Sequence, residues 1–292
     1  MKNSTQNALT SGLLRALSTL PYGLVARLGE ALGSLLYRIP GKRKHILQTN
    51  LRLCFPEHSD AQREVLARST FQHVIRSYLE RGVQWYGSAD TLSRLVQLDS
   101  AIELQDRYEQ PTIFLGFHFA AIEATCMYYS ILHPVASIYT PMSDEVTDTI
   151  SRQQRGRFGT QMIPRNGSAR EILKVLKSGT PIMLAADMDF GLRDSVFAPF
   201  FGVPACTLTA VSRLAQLSGA RVVPFVAEVL PDYRGYKLNI FEALENFPSG
   251  DAHADAVRTN QFLEERIRST PDQYYWVHRR FKRRPEGEAS VY

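Results

Sequence analysis

One histidine stands where its type and its neighbours could do chemistry. In the run Gly116-Phe117-His118-Phe119-Ala120-Ala121-Ile122-Glu123, an apolar stretch from Thr112 leads straight into His118, and a carboxylate follows five residues later. On one continuous helix, residues five apart point about 140° away from each other. The two can meet only if His118 occupies a strand-to-helix turn and Glu123 the first helical turn. His118 would then stand at the open end of a strand, within reach of a ligand. Glu123 would accept the N–H of the far ring nitrogen, fix the tautomer and stabilise the imidazolium that forms when His118 takes a proton. No convincing Ser or Cys nucleophile accompanies the pair; Ser212 and Ser218 lie outside any G-x-S-x-G elbow. The nucleophile then belongs to the substrate, most simply as a hydroxyl. Spacing alone carries little weight, because H-x4-E recurs by chance and a histidine at a strand end is usually structural.

Two more carboxylates, Asp187 and Asp189, follow a second apolar run, Ile182–Ala186. Carboxylates two apart recur in metal sites, but no third ligand is evident. The other reading is that they order the loop 187–202 and hydrogen-bond hydroxyls of an acceptor. Arg193 could pair with them or meet a phosphate. Cys54, Cys126 and Cys206 are scattered and odd in number, so they support neither a disulfide framework nor a zinc site, and a reducing compartment is expected.

The elements that must position these groups divide the chain in two. Residues 8–37 (one helix, or two joined at Pro21), 42–53 and 60–86 carry helical patterns, with Ser59 or Asp60 as a cap for the third. From about residue 100 short apolar runs alternate with amphipathic segments. Strands are expected at Thr112–Phe117, Val135–Tyr139, Ile182–Ala186, Val222–Val226 and Tyr236–Phe241. Helices are expected at 119–132, 144–156, 168–178, 207–218 and 253–269, with a capping box at Ser168 and Glu171. The alternation predicts an α/β core with helices on the faces of a sheet, and such sheets bind ligands at the carboxyl ends of strands. Residues 1–90 read as a helical section and 91–292 as the core, without a linker that would separate them.

The 292 residues, 44% hydrophobic, suffice for a full core, and ordinary Gly and Pro contents without repeats exclude disordered, collagen-like and solenoid classes. The net charge of +5 is unevenly spread: residues 1–53 hold +7, residues 278–292 hold +3, and the remainder is −5. Basic ends suit an anionic surface. No signal peptide is evident at the start. The apolar region from Leu9 to Ile39 is broken by Arg15, Arg27 and Glu30, which argues against a spanning helix. Leu13, Leu14, Leu17, Leu20, Leu24, Leu28, Leu32, Leu35 and Leu36 recur at helical intervals. Together with Lys42, Arg43 and Lys44 they suit a helix lying on a membrane surface, or else one packed on its own domain.

The segment around His118 resembles the H-x4-D/E motif of the glycerolipid and lipid A acyltransferase superfamily. Further blocks narrow the resemblance to the bacterial lipid A biosynthesis acyltransferases of the late, lauroyl/myristoyl type. They are Lys42-Arg43-Lys44 with Asn50-Leu51 and Cys54-Phe55-Pro56-Glu57, then Arg155-Gly156-Arg157-Phe158-Gly159, Ile163-Pro164-Arg165-Asn166-Gly167 and Asp187-Met188-Asp189-Phe190-Gly191. The last continues through Ser195-Val196-Phe197 and Pro199-Phe200-Phe201-Gly202 to Thr207, and Pro271-Asp272-Gln273-Tyr274 leads to Trp276-Val277-His278-Arg279-Arg280-Phe281-Lys282 near the end. The blocks cover nearly the whole chain in the family's order. Glu123 stands where the wider superfamily usually has Asp, as is common in this family.

The resemblance implies a central mixed sheet flanked by helices, of the glycerolipid acyltransferase type, with a membrane-associating helical section before it. It implies transfer of a fatty acyl chain from acyl carrier protein to a hydroxyl on a hydroxyacyl chain of a lipid A precursor, usually one bearing Kdo sugars. The place implied is the cytoplasmic face of the cell inner membrane, against its anionic leaflet. His118 is then the general base and Glu123 its orienting carboxylate. Arg157 becomes the candidate for oxyanion or phosphate stabilisation, with Arg155 as fallback. Arg165 would contact an acceptor phosphate or sugar carboxylate, and Asp187, Asp189 and Arg193 would help bind the acceptor. Phe197, Phe200 and Phe201 suit a core or the lining of an acyl pocket. The chemistry needs no metal or cofactor. The tail Arg279, Arg280, Lys282, Arg283 and Arg284 could face lipid phosphates, the leaflet or acyl carrier protein; nucleic acid is not expected, because no binding signature accompanies the charge. The alternatives are an acyltransferase for another acceptor, such as a glycerophospholipid or an ornithine-type lipid, and a non-catalytic membrane-binding protein of the same fold.

Overall fold

The computed structural model describes residues 2–103 and 110–292, with side chains from Thr10 onward. Pro21 divides the leucine-rich start into α1 (Lys2–Ser18) and α2 (Tyr22–Tyr37), because proline cannot donate the N–H that would continue α1. Two more helices follow, α3 (Lys42–Cys54) and α4 (Asp60–Tyr86). Ser59 starts α4 with a reciprocal capping box: its hydroxyl accepts from the Gln62 N–H, and the Gln62 side chain accepts from the Ser59 N–H.

Glycines let α2 lie along α4 at backbone contact. A Cβ on Gly29 would fall 2.5 Å from the Arg76 Cα, and one on Gly33 2.7 Å from the Gln72 Cα. Arg76 is buried there, and its guanidinium is satisfied by Glu80 (2.6 Å), Glu30 (2.8 Å) and the Tyr22 hydroxyl (2.7 Å). A buried charge without such partners would cost several kcal/mol, so this cluster locks α2 to α4 in one register. The opposite side is apolar and bare. Leu13, Leu20, Leu24, Leu28, Leu32, Leu35 and Ile39 are all exposed at three-, four- and seven-residue intervals. No described helix is long and apolar enough to cross a membrane.

The remaining elements are α5 (Ala89–Leu95), β1 (Val96–Ser100), β2 (Thr112–Gly116), α6 (Ile122–Leu132), β3 (Ala136–Tyr139), α7 (Glu145–Gly156), β4 (Gln161–Pro164) and α8 (Ala169–Lys177). They continue with β5 (Ile182–Ala185), β6 (Ser195–Phe200), β7 (Val203–Leu208), α9 (Ala210–Ser218), β8 (Arg221–Val229), β9 (Tyr236–Ile240) and α10 (Ala252–Ser269). Seven strands form a mixed sheet in the order β1-β9-β8-β2-β5-β3-β4, in which only β8 and β9 run antiparallel. The expected α/β class and each expected strand and helix are present, with ends shifted by a few residues.

Three local expectations change. The helix expected from 207 starts at Ala210, because Thr207 and Leu208 complete β7. The stretch 187–202 is only half loop, since 195–200 pair with 203–208 in an antiparallel hairpin. Its turn, Phe201-Gly202, has positive φ at both residues, the mirror-image geometry that suits the strand twist. Ser168 caps α8 by accepting from the Arg170 N–H, and Glu171 returns no bond to complete a box. Short α5 and β1 lack the periodicity that would announce them.

The basic tail is not a free patch. Arg280 is wholly buried and donates to the Cys206 carbonyl (2.7 Å) and the Thr207 hydroxyl (3.0 Å). Arg283 pairs with Asp189 (2.6 Å), and Arg284 donates to the Pro204 carbonyl (2.6 Å). In the first cluster Arg43 donates to the Val277 carbonyl (2.9 Å) and Lys44 to the Tyr37 carbonyl (3.0 Å). Most of these charges tie the chain's ends to its core, which a linear charge count cannot reveal.

Candidate active site

Two neighbouring parallel strands deliver the site. β2 and β5 pair so that Gly116 lies opposite Ala185. Two residues beyond each strand stand His118 and Asp187, side by side at the carboxyl edge of the sheet. The Asp187 carboxylate accepts twice from His118: Oδ2 from the backbone N–H (3.0 Å) and Oδ1 from the ring at Nδ1 (2.6 Å). This arrangement selects the tautomer with hydrogen on Nδ1 and a free lone pair on Nε2. Asp187 is almost wholly buried, while His118 keeps about a quarter of its side chain exposed (1% and 27%). Burial opposes the Asp187 charge, but the adjacent imidazole and the two hydrogen bonds outweigh it and hold the carboxyl well below its usual range.

The turn that carries His118 is clamped from the far end of the chain. The His118 carbonyl accepts from the Tyr275 N–H (2.9 Å), and the Ala120 N–H donates to the Gln273 carbonyl (2.8 Å). Asn50 on α3 holds the same segment by donating to the carbonyls of Trp276 (2.7 Å) and His278 (2.8 Å). The blocks around Asn50 and Trp276 thus serve the site by fixing its backbone. His278 packs beside the pair, its ring 6.4 Å from that of His118. Burial pushes it down to about 4, so it is neutral at physiological pH. A Cβ on Gly116 at the end of β2 would run into the tip of the Phe225 ring, which would have to move.

Glu123 takes a different partner from the one expected. It sits in the first turn of α6, where its Oε1 accepts from the Trp85 indole N–H (2.8 Å). Arg155, at the end of α7, forks onto both of its oxygens (Nε–Oε1 2.8 Å, Nη2–Oε2 2.5 Å). Burial opposes the charge of Glu123, but Arg155 beside it and the hydrogen bonds prevail and pull its carboxyl down to about 2. The carboxylate that orients His118 is therefore Asp187 and not Glu123. The five-residue spacing brings Glu123 near the histidine's turn, but the neighbouring strand supplies the hydrogen-bond acceptor.

The arginines also exchange places. Arg157, the first candidate for charge stabilisation, donates to the carbonyls of Gln84 (3.1 Å) and Gly87 (2.5 Å) and pins the end of α4. It does not line the cavity beside His118, whereas Arg155 and Arg165 do. Arg165 stacks over Phe190 at 4.4 Å. The Asp189 side chain, like that of Asp187, is buried; it accepts from Arg283 (2.6 Å) and from the Gly191 N–H (3.1 Å), which orders the loop. Arg193 points to solvent, 97% exposed, with Asp194 3.7 Å away. No group of three His, Cys, Asp or Glu that could hold a metal occurs among the described residues. Of the three phenylalanines, Phe200 is buried in the core and Phe201 packs against it, and none of the three lines the cavity.

That cavity, about 430 Å³, is walled mainly by apolar side chains, among them Ile122, Met127, Ile138, Met162, Ile172 and Phe225. His118, Glu123, Arg155 and Arg165 are its acidic and basic members, beside Tyr139 and Cys126. Its size and lining suit a largely apolar ligand presented to a few convergent polar groups. Its one thiol, Cys126, is pushed up to about 12 by burial, which makes it a poor nucleophile.

Comparison with known proteins agrees with the blocks read from the sequence. Residues 3–283 match the family described as bacterial lipid A biosynthesis acyltransferase. The chain is 34% identical to the lipid A biosynthesis lauroyltransferase of Escherichia coli (strain K12), over 96% of this chain and 92% of that one. It is 31% identical to the palmitoleoyltransferase of the same organism, over 96% and 92%. With the myristoyltransferase it shares 27%, over 92% and 83%. The chain thus belongs to the bacterial lipid A biosynthesis acyltransferase family and is an acyltransferase.

Proposed function

We propose that this protein transfers a fatty acyl chain from acyl carrier protein to a hydroxyl on a hydroxyacyl chain of a Kdo-bearing lipid A precursor. The observation that carries the reading is His118, tied through Nδ1 to Asp187 and lining an apolar cavity with its ring. Nε2 takes the proton of the acceptor hydroxyl as the oxygen attacks the thioester carbonyl. The new C–O bond forms, the C–S bond breaks, and the imidazolium returns the proton to the leaving thiolate. No covalent acyl-enzyme is required. General-base catalysis contributes typically 10²–10⁴-fold, and the remainder comes from positioning and charge stabilisation. Arg155 is the side chain placed for the latter: its Nε and Nη2 are bound by Glu123, while Nη1 makes no hydrogen bond to a described residue. Arg165 suits an acceptor phosphate or carboxylate.

We place the protein at the cytoplasmic face of the inner membrane, and the exposed row from Leu13 to Ile39 supports contact with a membrane surface. Leu24, Leu28, Leu32 and Leu35 fall on one side of α2 and form a patch that water disfavours, and a helix lying at the interface would bury it. In this reading residues 1–90 face the membrane, and 91–292 form the acyltransferase core as part of one continuous unit.

The reading is tested with purified protein in detergent, acyl carrier protein loaded with chains of several lengths, and a Kdo-bearing tetra-acylated precursor. Wild type should add the mass of one acyl chain to the precursor, and His118→Ala should abolish the gain. Folded wild type that binds the precursor yet adds no chain from any donor would sink the assignment and direct attention to other lipid acceptors.

A further inference from the structure

With Arg280, Arg283 and Arg284 committed to the core, a different basic surface stands free. Helix α8 carries Arg170, Lys174 and Lys177, all exposed. At 100° per residue these three fall within about 60° of one another, a single stripe along the helix. Ile172, Val175 and Leu176 lie on the opposite side and are buried. None of the three basic side chains takes part in an ion pair with a described residue. On α9, which packs against α8, stand exposed Leu217 and exposed Arg213, the latter paired with Asp194 (2.8 Å). Before the β6–β7 hairpin, Leu192 is 63% exposed and Arg193 extends into solvent.

The helix that carries this stripe also walls the cavity beside His118, through its opposite side. The inner side of α8 contributes Ile172 to the lining, and α9 contributes Ala210 and Leu214. Arg165 lines the cavity and stands four residues before the start of α8. A thioester donor held by a protein must bring its carrier against the rim of the cavity that receives the chain. An acidic carrier would meet basic side chains here, with Leu192 and Leu217 offering apolar contact. Charge complementarity of this kind steers encounter and fixes orientation.

We propose that the outer face of α8, with Arg213 and Arg193 beside it, is the docking surface for the acidic acyl carrier protein. The proposal rests on the reading that the donor chain arrives on that carrier. It assigns the carrier to the core, on the face of α8, and leaves the apolar N-terminal row to the membrane.

The test is the triple charge reversal R170E/K174E/K177E in the full-length protein, assayed in detergent with the lipid A precursor. Two donors are compared: acyl carrier protein bearing the chain, and the same chain as a thioester of free pantetheine. For the carrier-borne donor KM should rise about tenfold or more, with kcat within about threefold of wild type. The wild-type KM should rise with salt, and that dependence should flatten in the variant. Rates with acyl-pantetheine should match wild type, which excludes damage to the fold. An unchanged KM for the carrier-borne donor, with wild type active on it, overturns the docking surface alone. A rise in KM for the precursor in place of the donor also overturns it and assigns the stripe to lipid phosphates. Wild type that accepts acyl-pantetheine but not acyl carrier protein overturns the donor reading and the docking surface together.

Discussion

Asparagine at position 187 should lower kcat by about 10³- to 10⁴-fold, the loss expected when the buried carboxylate behind a catalytic histidine becomes an amide. The amide is nearly isosteric, so its oxygen can still accept from the His118 N–H now bound by Oδ2 at 3.0 Å. Its NH2 group then faces Nδ1, where the carboxylate accepted at 2.6 Å. A ring nitrogen that must accept a hydrogen bond cannot carry the proton. The hydrogen moves to Nε2, the atom that must be a lone pair to take the proton of the acceptor hydroxyl. The imidazolium also loses its counter-charge. Steady-state kinetics on Asp187→Asn, with circular dichroism to confirm the fold, is the measurement. A kcat within tenfold of wild type would remove Asp187 from the role of orienting carboxylate.

The second large effect concerns stability. Arg155→Met should destabilise the protein by about 3–5 kcal/mol, because it leaves the Glu123 carboxylate charged and unpaired in an apolar wall. Glu123→Gln combined with Arg155→Met should recover much of the loss, since neither charge then remains buried. Denaturant unfolding of the two single variants and the double variant gives the coupling directly; additive losses would show that the pair is not a unit. Glu123→Gln alone should reduce kcat less than Asp187→Asn does, because it leaves the Nδ1–carboxylate bond of His118 intact. The pH dependence has a definite sign. The Glu123 carboxyl is depressed from an ordinary 4.5 to about 2, so the pair's stabilisation is fully present above about pH 4.5 and is lost as pH falls towards 2. That shift corresponds to about 3 kcal/mol, of which about 2 kcal/mol is lost by pH 3; thermal melts from pH 7 down to pH 3 would follow that part in wild type and find it missing in the double variant.

The helices and inner strands that were legible each have a local cause. Leucine spacing and Pro21 define α1 and α2, the Ser59–Gln62 box starts α4, and alternating apolar runs mark the inner strands. His118 was legible for the same reason: an apolar run ending in a histidine places it at a strand's carboxyl end. The exposed leucine row is likewise a periodicity, and the structure leaves one side of it bare.

Partners were not legible, because they depend on which strands become neighbours. Asp187 is 69 residues from His118, and its role follows from β5 pairing beside β2 in a register that sets Ala185 opposite Gly116. Glu123, only five residues away, is instead captured by Arg155 from α7 and Trp85 from α4. Arg155 and Arg157 differ by two positions on a helix end, so one lines the cavity while the other reaches back to the carbonyls of Gln84 and Gly87. The tail arginines read as a free charge run until the fold buries Arg280 and pairs Arg283 with Asp189. Periodicity, capping and turn chemistry act between residues close in the chain, so the sequence by itself determined most of the helices, the inner strands, the family and the place of His118 at a strand end. Hydrogen bonds and ion pairs act between residues close in space, so only the tertiary structure decided which carboxylate serves His118, which arginine enters the cavity and which basic surface remains free.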